Sequence, residues 1–213
     1  MTTKVRTAIV VLTGLLLTAC QPSGFTYVHN SQEGAYVKFP SDWHLFDADE
    51  VLEHQYSNLP PGAREIMRQQ MWAVAFDADP EPTLEHLFAQ PNDFPVGVMR
   101  VRQLGEEERD SFSLASLRNE FVSIDDILQT DPARIEPLLQ EDLTTAEGLR
   151  GMRLRFNVAL ADGVFTYDQS AYVDAETRTV YLLAVGCTVE CFRAHASQID
   201  QIAESWTIKE PKV

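Results

Sequence analysis

The alternation of apolar and polar residues is clearest in the last third of the chain. Apolar side chains occupy every second position from Met152 to Leu160, which predicts a β-strand with one buried face. Asp162-Gly163 is a pair typical of a hairpin turn, so residues 164–173 are expected to return as a second strand. The continuous apolar run from Val180 to Val185 predicts a third strand that is covered on both faces.

A helical pattern follows this predicted three-stranded meander. Phe192, Ile199, Ile202 and Trp206 recur at helical spacing, which predicts a helix that packs this stripe against the sheet. A short final strand is expected over residues 207–209. The closing segment of the chain is therefore predicted as three strands, a helix and a last strand.

Shorter elements alternate in the preceding part of the chain. Asp47 and Glu50 have the spacing of a capping box, and Ser113 precedes an apolar pattern typical of a helix. The pattern predicts strands over residues 34–39, 72–76 and 94–104, and helices over residues 51–55, 61–70 and 114–124. No long linker or repeat divides residues 25–213, so we expect a single α+β domain, an antiparallel sheet with helices packed on both faces.

The N-terminus has the parts of a bacterial export signal. Lys4 and Arg6 form a positive start, and residues 8–17 form an almost wholly apolar stretch. Ten helical residues reach about 15 Å, half of a hydrocarbon core of about 30 Å. The stretch is therefore predicted to be the apolar region of a signal peptide and not a transmembrane helix.

Leu17-Thr18-Ala19-Cys20 resembles the lipobox of bacterial lipoproteins, in which small residues precede the cysteine that is acylated. The resemblance implies a signal peptide over residues 1–19, a lipid anchor on Cys20 and a tether over residues 20–24. This tether spans at most about 17 Å. The alternative is an ordinary secreted protein whose Cys20 is incidental.

The residue after the cysteine bears on where such a lipoprotein is delivered. Gln21, and not Asp, follows Cys20, which favours the outer membrane in a double-membraned bacterium. In a single-membraned bacterium the protein is expected on the outer face of the cell membrane.

Composition narrows the classes of ligand. The chain has 17 Lys+Arg against 32 Asp+Glu, a net charge of −15, so nucleic acid is not an expected partner. The same charge is expected to repel anionic lipid headgroups, so these are not an expected direct ligand either, and the folded body gains no electrostatic help in approaching the membrane. With 45% hydrophobic and 23% charged residues, the chain has the composition of a globular domain and not of a disordered protein.

Cys187 and Cys191 are the two cysteines that remain once Cys20 is acylated. In an oxidising compartment, a strand-to-helix corner is expected to join them in a structural disulfide. The alternative adds His195, four residues further on, to form a metal or thiol-redox site. Copper-delivery proteins of the Sco type also combine a CxxxC pair with a histidine, but their pair lies early in a thioredoxin fold. A fourth ligand is unassigned here, so we expect no metal and no cofactor.

The remaining polar clusters have structural interpretations. The acidic residues between Asp47 and Glu53 suit the start of a helix, and no EF-hand pattern accompanies them. Residues 106–110 are expected to form a solvated turn. We find no zinc-protease, nucleophile-elbow, phosphate-loop or dinucleotide motif. A hydrolase with dispersed catalytic residues is thus an alternative to a non-enzymatic protein.

Two stretches resemble the PsbP-like superfamily. Tyr36-Val37-Lys38-Phe39-Pro40-Ser41-Asp42-Trp43 is similar to its N-terminal strand and Pro-x-x-Trp turn, and Ser205-Trp206 after the last helix is similar to its C-terminal end. The superfamily includes photosystem II extrinsic proteins, Ran-binding Mog proteins and LpqN-type lipoproteins. The resemblance implies an α/β/α sandwich with a binding or assembly role. We therefore expect a non-enzymatic, membrane-anchored protein that binds an envelope protein or a small molecule.

Overall fold

The computed structural model describes residues 24–88, 93–146 and 148–209, which form ten strands and six α-helices. The strands are β1 Phe25–Asn30, β2 Ala35–Pro40, β3 His44–Phe46, β4 Met71–Asp77, β5 Val96–Gln103, β6 Ile135–Thr144, β7 Arg150–Leu160, β8 Gly163–Val173, β9 Thr179–Thr188 and β10 Thr207–Ile208. The α-helices are α1 Ala48–Tyr56, α2 Pro61–Gln70, α3 Glu85–Phe88, α4 Glu106–Ser111, α5 Ile124–Thr130 and α6 Val189–Ser205, and 3₁₀ turns cover Leu114–Asn119 and Pro132–Arg134.

A seven-stranded antiparallel sheet forms the middle layer, with its strands in the order β3-β4-β5-β9-β8-β7-β6. A smaller antiparallel sheet has the order β1-β2-β10. The predicted α+β class, with helices on both faces of an antiparallel sheet, is confirmed. Strand β9 lies at the centre of the large sheet and is buried from Thr179 to Cys187, as its continuous apolar run predicted.

One face of the large sheet is covered by α6 and by the small sheet. Phe192, Ile199 and Ile202 of α6 are buried in the same core as alternate residues of β9. Trp206, immediately after the helix, is buried there too. The predicted apolar stripe is therefore the surface through which α6 packs.

The opposite face is covered by α1, by the 3₁₀ turn at Leu114–Asn119 and by α5. The predicted capping box starts α1, because the Asp47 side chain accepts hydrogen bonds from the backbone N–H groups of Asp49 and Glu50, each at 3.0 Å. This start directs Val51 into a core that includes Ala73 and the buried 3₁₀ residue Leu117.

The meander has a fourth strand that the pattern did not predict. Strand β6 lies at the edge of the sheet, and most of its residues are exposed on both faces, so it lacks an alternating signal. Pro137 is paired with Phe156, and the register of the strand shifts between Pro137 and Leu139. Proline is tolerated at such an edge because the strand has no second neighbour that needs its missing N–H group.

Two local predictions were wrong. A continuous helix over residues 114–124 does not form: a 3₁₀ turn ends at Asn119 and a separate helix, α5, begins at Ile124. The Asn119 side chain accepts a hydrogen bond from the backbone N–H of Asp125 at 3.0 Å, which stabilises this interruption. Residues 106–110 form helix α4 and not a turn. Its Glu108 pairs with Arg102 at 2.7 Å, and its Arg109 donates to the backbone oxygen of Thr177 at 3.1 Å.

Candidate functional site

A cavity of about 340 Å³ lies on the face of the large sheet that carries α1 and the 3₁₀ turn. Its floor is formed by β4, β5, β8 and β9, and its walls by α1, α3 and residues 120–122. Its lining residues are Val51, Gln55, Ala73, Leu87, Phe88, Val96, Val98, Arg100, Glu120, Phe121, Val122, Phe165, Tyr167, Gly186 and Cys187. This volume is at the small end of the range for ligand-binding pockets.

The floor of the cavity has small residues where strands β4 and β9 cross it. Ala73 has a small side chain, and the ring of Tyr167 occupies the space over Gly186. A Cβ atom at position 186 would lie 2.4 Å from Cδ1 of Tyr167, so a larger residue there would displace the ring. Phe121 contacts the edge of the same ring, at a centroid distance of 6.0 Å. The floor thus presents aliphatic and aromatic side chains, whereas the lining of the whole cavity is about equally polar and apolar.

A network of ion pairs closes one end of this surface. Arg100 donates from Nη2 to Oε2 of Glu120 at 3.1 Å, and Arg102 contacts both oxygens of the same carboxylate at 2.7 and 3.0 Å. Arg102 also pairs with Glu108. Two cations and two carboxylates therefore meet at the cavity wall with little net charge.

Arg100 is the member of the network with an unsatisfied donor. Its buried Nε has no hydrogen-bond partner among the described residues. Burial lowers the pKa of Arg100 from its ordinary value, against the attraction of Glu120, and repulsion by Arg102 adds to the decrease. Burial acts in the same direction on Arg102, but its hydrogen bonds to Glu120 and Glu108 outweigh burial and raise its pKa. Arg100 thus places a partly desolvated guanidinium at the cavity wall, although its Nε is itself buried from the cavity.

The predicted cysteine corner lies at the junction of β9 and α6. Cys187 and Cys191 form a disulfide with their Cα atoms 5.9 Å apart, and both residues are buried. His195 lies one turn further along α6, with Nδ1 3.0 Å from the backbone oxygen of Cys191 and 3.9 Å from its Sγ. Both sulfur atoms are bonded to each other, so the thiolates that the alternative metal or redox site requires are absent from this form. Among the residues that the structure describes, no group of three or more metal-ligating side chains could hold an ion.

His86 is paired with a buried carboxylate, an arrangement that the sequence did not indicate. Nδ1 of His86 lies 2.7 Å from Oδ2 of Asp77, a carboxylate that is only 1% exposed at the end of β4. Asp77 also accepts the backbone N–H groups of Asp79 at 2.8 Å and Thr83 at 3.0 Å. The carboxylate therefore fastens the loop that leads from β4 to α3, next to the cavity wall.

Other predicted residues occupy simpler positions. Cys20 lies outside the described residues. Glu53 and Asp49 in α1 pair with Arg64 and Arg68 in α2, at 2.7 and 3.1 Å, so this acidic cluster joins two helices. No signal along the chain links Arg100 to Glu120, which lie twenty residues apart and meet only through the fold. Within the described ranges, every helix is too short or too polar to cross a lipid bilayer.

Comparison with known proteins agrees with this architecture. No protein-family model matches the chain, and no curated protein matches its sequence. The structure is similar to the solution structure of cyanobacterial PsbP (CyanoP) from Synechocystis, with a TM-score of 0.52, 12% identity, and coverage of 91% of this chain and 99% of that one. The chain has the PsbP-like fold.

Two further solved structures give lower scores. LpqN of Mycobacterium tuberculosis, involved in cell envelope biogenesis, has a TM-score of 0.48 and 16% identity, with 87% of this chain and 90% of that one covered. The Ran-binding protein Mog1p of Saccharomyces cerevisiae has a TM-score of 0.41 and 10% identity, with 86% and 95% covered. The PsbP-like fold positions the cavity but does not name what binds there.

Proposed function

We propose that this protein is a lipid-anchored, extracytoplasmic binding protein of a bacterial envelope, and that the cavity takes a small molecule that combines an apolar part with a hydrogen-bond acceptor. The ligand site is supported by Arg100, whose side chain lines the cavity beside aliphatic and aromatic residues and whose buried Nε has no hydrogen-bond partner among the described residues. A ligand oxygen that accepted a hydrogen bond from this guanidinium, in a site largely removed from water, would be held more strongly than in water.

The anchor rests on the lipobox-like sequence before Cys20. Cys20→Ala is expected to release the protein from the membrane fraction or to leave its signal peptide uncleaved. A Cys187→Ser/Cys191→Ser variant is the matched control, because it changes two cysteines and keeps the anchor. Membrane fractionation and mass spectrometry of the N-terminus measure both effects. A Cys20→Ala protein that stays on the membrane, correctly cleaved, contradicts the lipoprotein proposal.

The cavity is tested with anilinonaphthalene sulfonate, a dye that combines apolar rings with an anionic acceptor. Saturable binding is expected to fall several-fold in Arg100→Met, which removes the donor, and in Gln55→Trp, which places a large ring at an exposed position on the cavity wall. Arg102→Met is the control, since Arg102 contacts the same Glu120 but does not line the cavity. Dye binding that is equal in all three variants contradicts this site.

The pair of Asp77 and His86 is the observation that favours the alternative, a hydrolase. A buried carboxylate that orients an imidazole is the arrangement of a general base. Hydrolysis of a generic ester that His86→Ala abolishes, with the fold intact by circular dichroism, would give this alternative precedence over binding alone.

A further inference from the structure

The outer face of the small sheet has a composition that differs from the rest of the surface. Antiparallel pairing places Tyr27 opposite Lys38 and His29 opposite Tyr36 on this face. Thr207 of β10 pairs with Tyr36, so Lys209, two residues further, follows on the same side. We call this surface the β1–β2 face; its residues are Phe25, Tyr27, His29, Tyr36, Lys38, Thr207 and Lys209.

The inner face of the same sheet belongs to the protein core. Ala35, Val37 and Phe39 are buried with α6, and Ile208 joins them from β10. The Ser205 hydroxyl at the end of α6 accepts a hydrogen bond from the backbone N–H of Lys38 at 3.1 Å, just before β10 begins. The small sheet is therefore packed against α6, and its outer face has a defined orientation relative to the rest of the domain.

Aromatic rings on the β1–β2 face are exposed and combined with cations. Tyr27 is 68% exposed and Tyr36 is 37% exposed. Nζ of Lys38 lies 4.8 Å from the ring centre of Phe25, and Nζ of Lys209 lies 5.6 Å from that of Tyr36. Within the described residues these are the two lysines of a chain with a net charge of −15. Among the described residues that line the groove on this face, the acidic one is Glu204.

The position of this face along the chain limits what it can meet. Phe25 follows Cys20 by five residues, and a tether of that length spans at most about 17 Å. If Cys20 is embedded in a membrane, β1 cannot move far from the headgroups. Tyrosine side chains favour the membrane interface, and lysines favour anionic headgroups, with their alkyl stems against apolar surface.

We infer that the β1–β2 face lies against the phospholipid headgroups and sets the orientation of the anchored domain. The inference rests on the proposed lipid anchor on Cys20 and adds a lipid-contacting surface to it. Acyl chains alone hold such a protein firmly, so this face governs orientation and not retention. The whole chain is acidic, but the two lysines supply a local attraction that its net charge does not reveal.

The test uses the full-length acylated protein in vesicles of phosphatidylethanolamine and phosphatidylglycerol. A single added cysteine carries a fluorophore at Tyr27→Cys or, as the control, at Asp162→Cys in the exposed turn between β7 and β8. Quenching by lipids that carry a nitroxide at the headgroup is expected to be several-fold stronger at position 27 than at position 162.

A second pair of variants tests whether the quenching depends on the residues of the β1–β2 face and not only on the position of the label. With the fluorophore at His29→Cys, the Tyr27→Ser/Lys38→Gln change is expected to reduce quenching to the level at position 162. A matched Leu138→Ser/Arg193→Gln change, which removes an exposed apolar and an exposed basic residue elsewhere, is expected to leave it unchanged.

Each other outcome overturns the inference in a recognisable way. Equal quenching at both positions in membrane-bound protein would show that the face does not contact lipid, and the lipoprotein proposal would stand. Protein that is not acylated would refute the anchor itself, and the inference would fail with it.

Discussion

The ion cluster between β7, β8 and α6 gives the sharpest test of what holds the helix layer to the sheet. Arg153 and Arg155 of β7 both donate to Asp168 of β8, at distances from 2.8 to 3.0 Å. Both also donate to Asp200 of α6, at 2.8 and 2.6 Å. The side chain of Asp168 is 3% exposed and that of Asp200 is 42% exposed. The two carboxylates thus serve the same arginines from different environments.

Asp168→Asn keeps the shape of the side chain and removes its charge. Breaking a buried ion pair costs about 3–5 kcal/mol, and we expect about 3 kcal/mol here because water partly reaches both arginines. For a domain of this size, that loss lowers the melting temperature by about 6–12 °C. Asp200→Asn is expected to cost less than about 1 kcal/mol, since its carboxylate is largely solvated.

Guanidinium unfolding followed by circular dichroism measures both variants, with the slope of the transition as a check on the unfolded state. The cluster also predicts a dependence on acid. Although burial opposes it, hydrogen bonds from Arg155 and Arg153 hold the pKa of Asp200 below its ordinary value, so its contribution is lost as pH falls through that lowered pKa. Equal losses in Asp168→Asn and Asp200→Asn would refute the argument from burial.

Three further results are expected. Ile199→Ala, at a side chain with 0% exposure, should lower the free energy of unfolding by about 2–5 kcal/mol, and a change below about 0.5 kcal/mol would mean that α6 does not pack as described. Burial and nearby carboxylates raise the pKa of Tyr181 to about 12, so stability should decline as pH rises from about 10 towards 12; Tyr181→Phe should reduce that decline to the part due to Tyr172, whose pKa burial also raises, and Tyr27→Phe should leave it unchanged. Cys187→Ser/Cys191→Ser should cost about 2 kcal/mol without loss of fold, and stoichiometric copper or zinc in the native protein by elemental analysis would contradict the structural disulfide.

The strands and the helix of the C-terminal half could be predicted from the sequence because each of them is buried on one or both faces. The period of two in β7, the apolar run in β9 and the helical stripe of α6 all arise because these elements bury defined surfaces. The capping box of α1 was equally visible, since both of its partners lie within one turn of chain. Strand β6 has no such pattern. It lies at the edge of the sheet with most residues of both faces exposed, so neither face requires apolar residues.

The sequence by itself determined the fold class, most elements and the positions of the two cysteines that pair, because each depends on periodicity or on residues close together in the chain. It did not determine the cavity, since Arg100, Glu120 and Gly186 come together only when β5, β9 and the segment after the 3₁₀ turn are in place. Nor did it reveal the β1–β2 face, which requires the register of β1 against β2 and the return of β10 after α6. Local residue patterns reflect how each segment is buried. A site made of residues from distant segments forms only when the sheet fixes the order and the register of its strands.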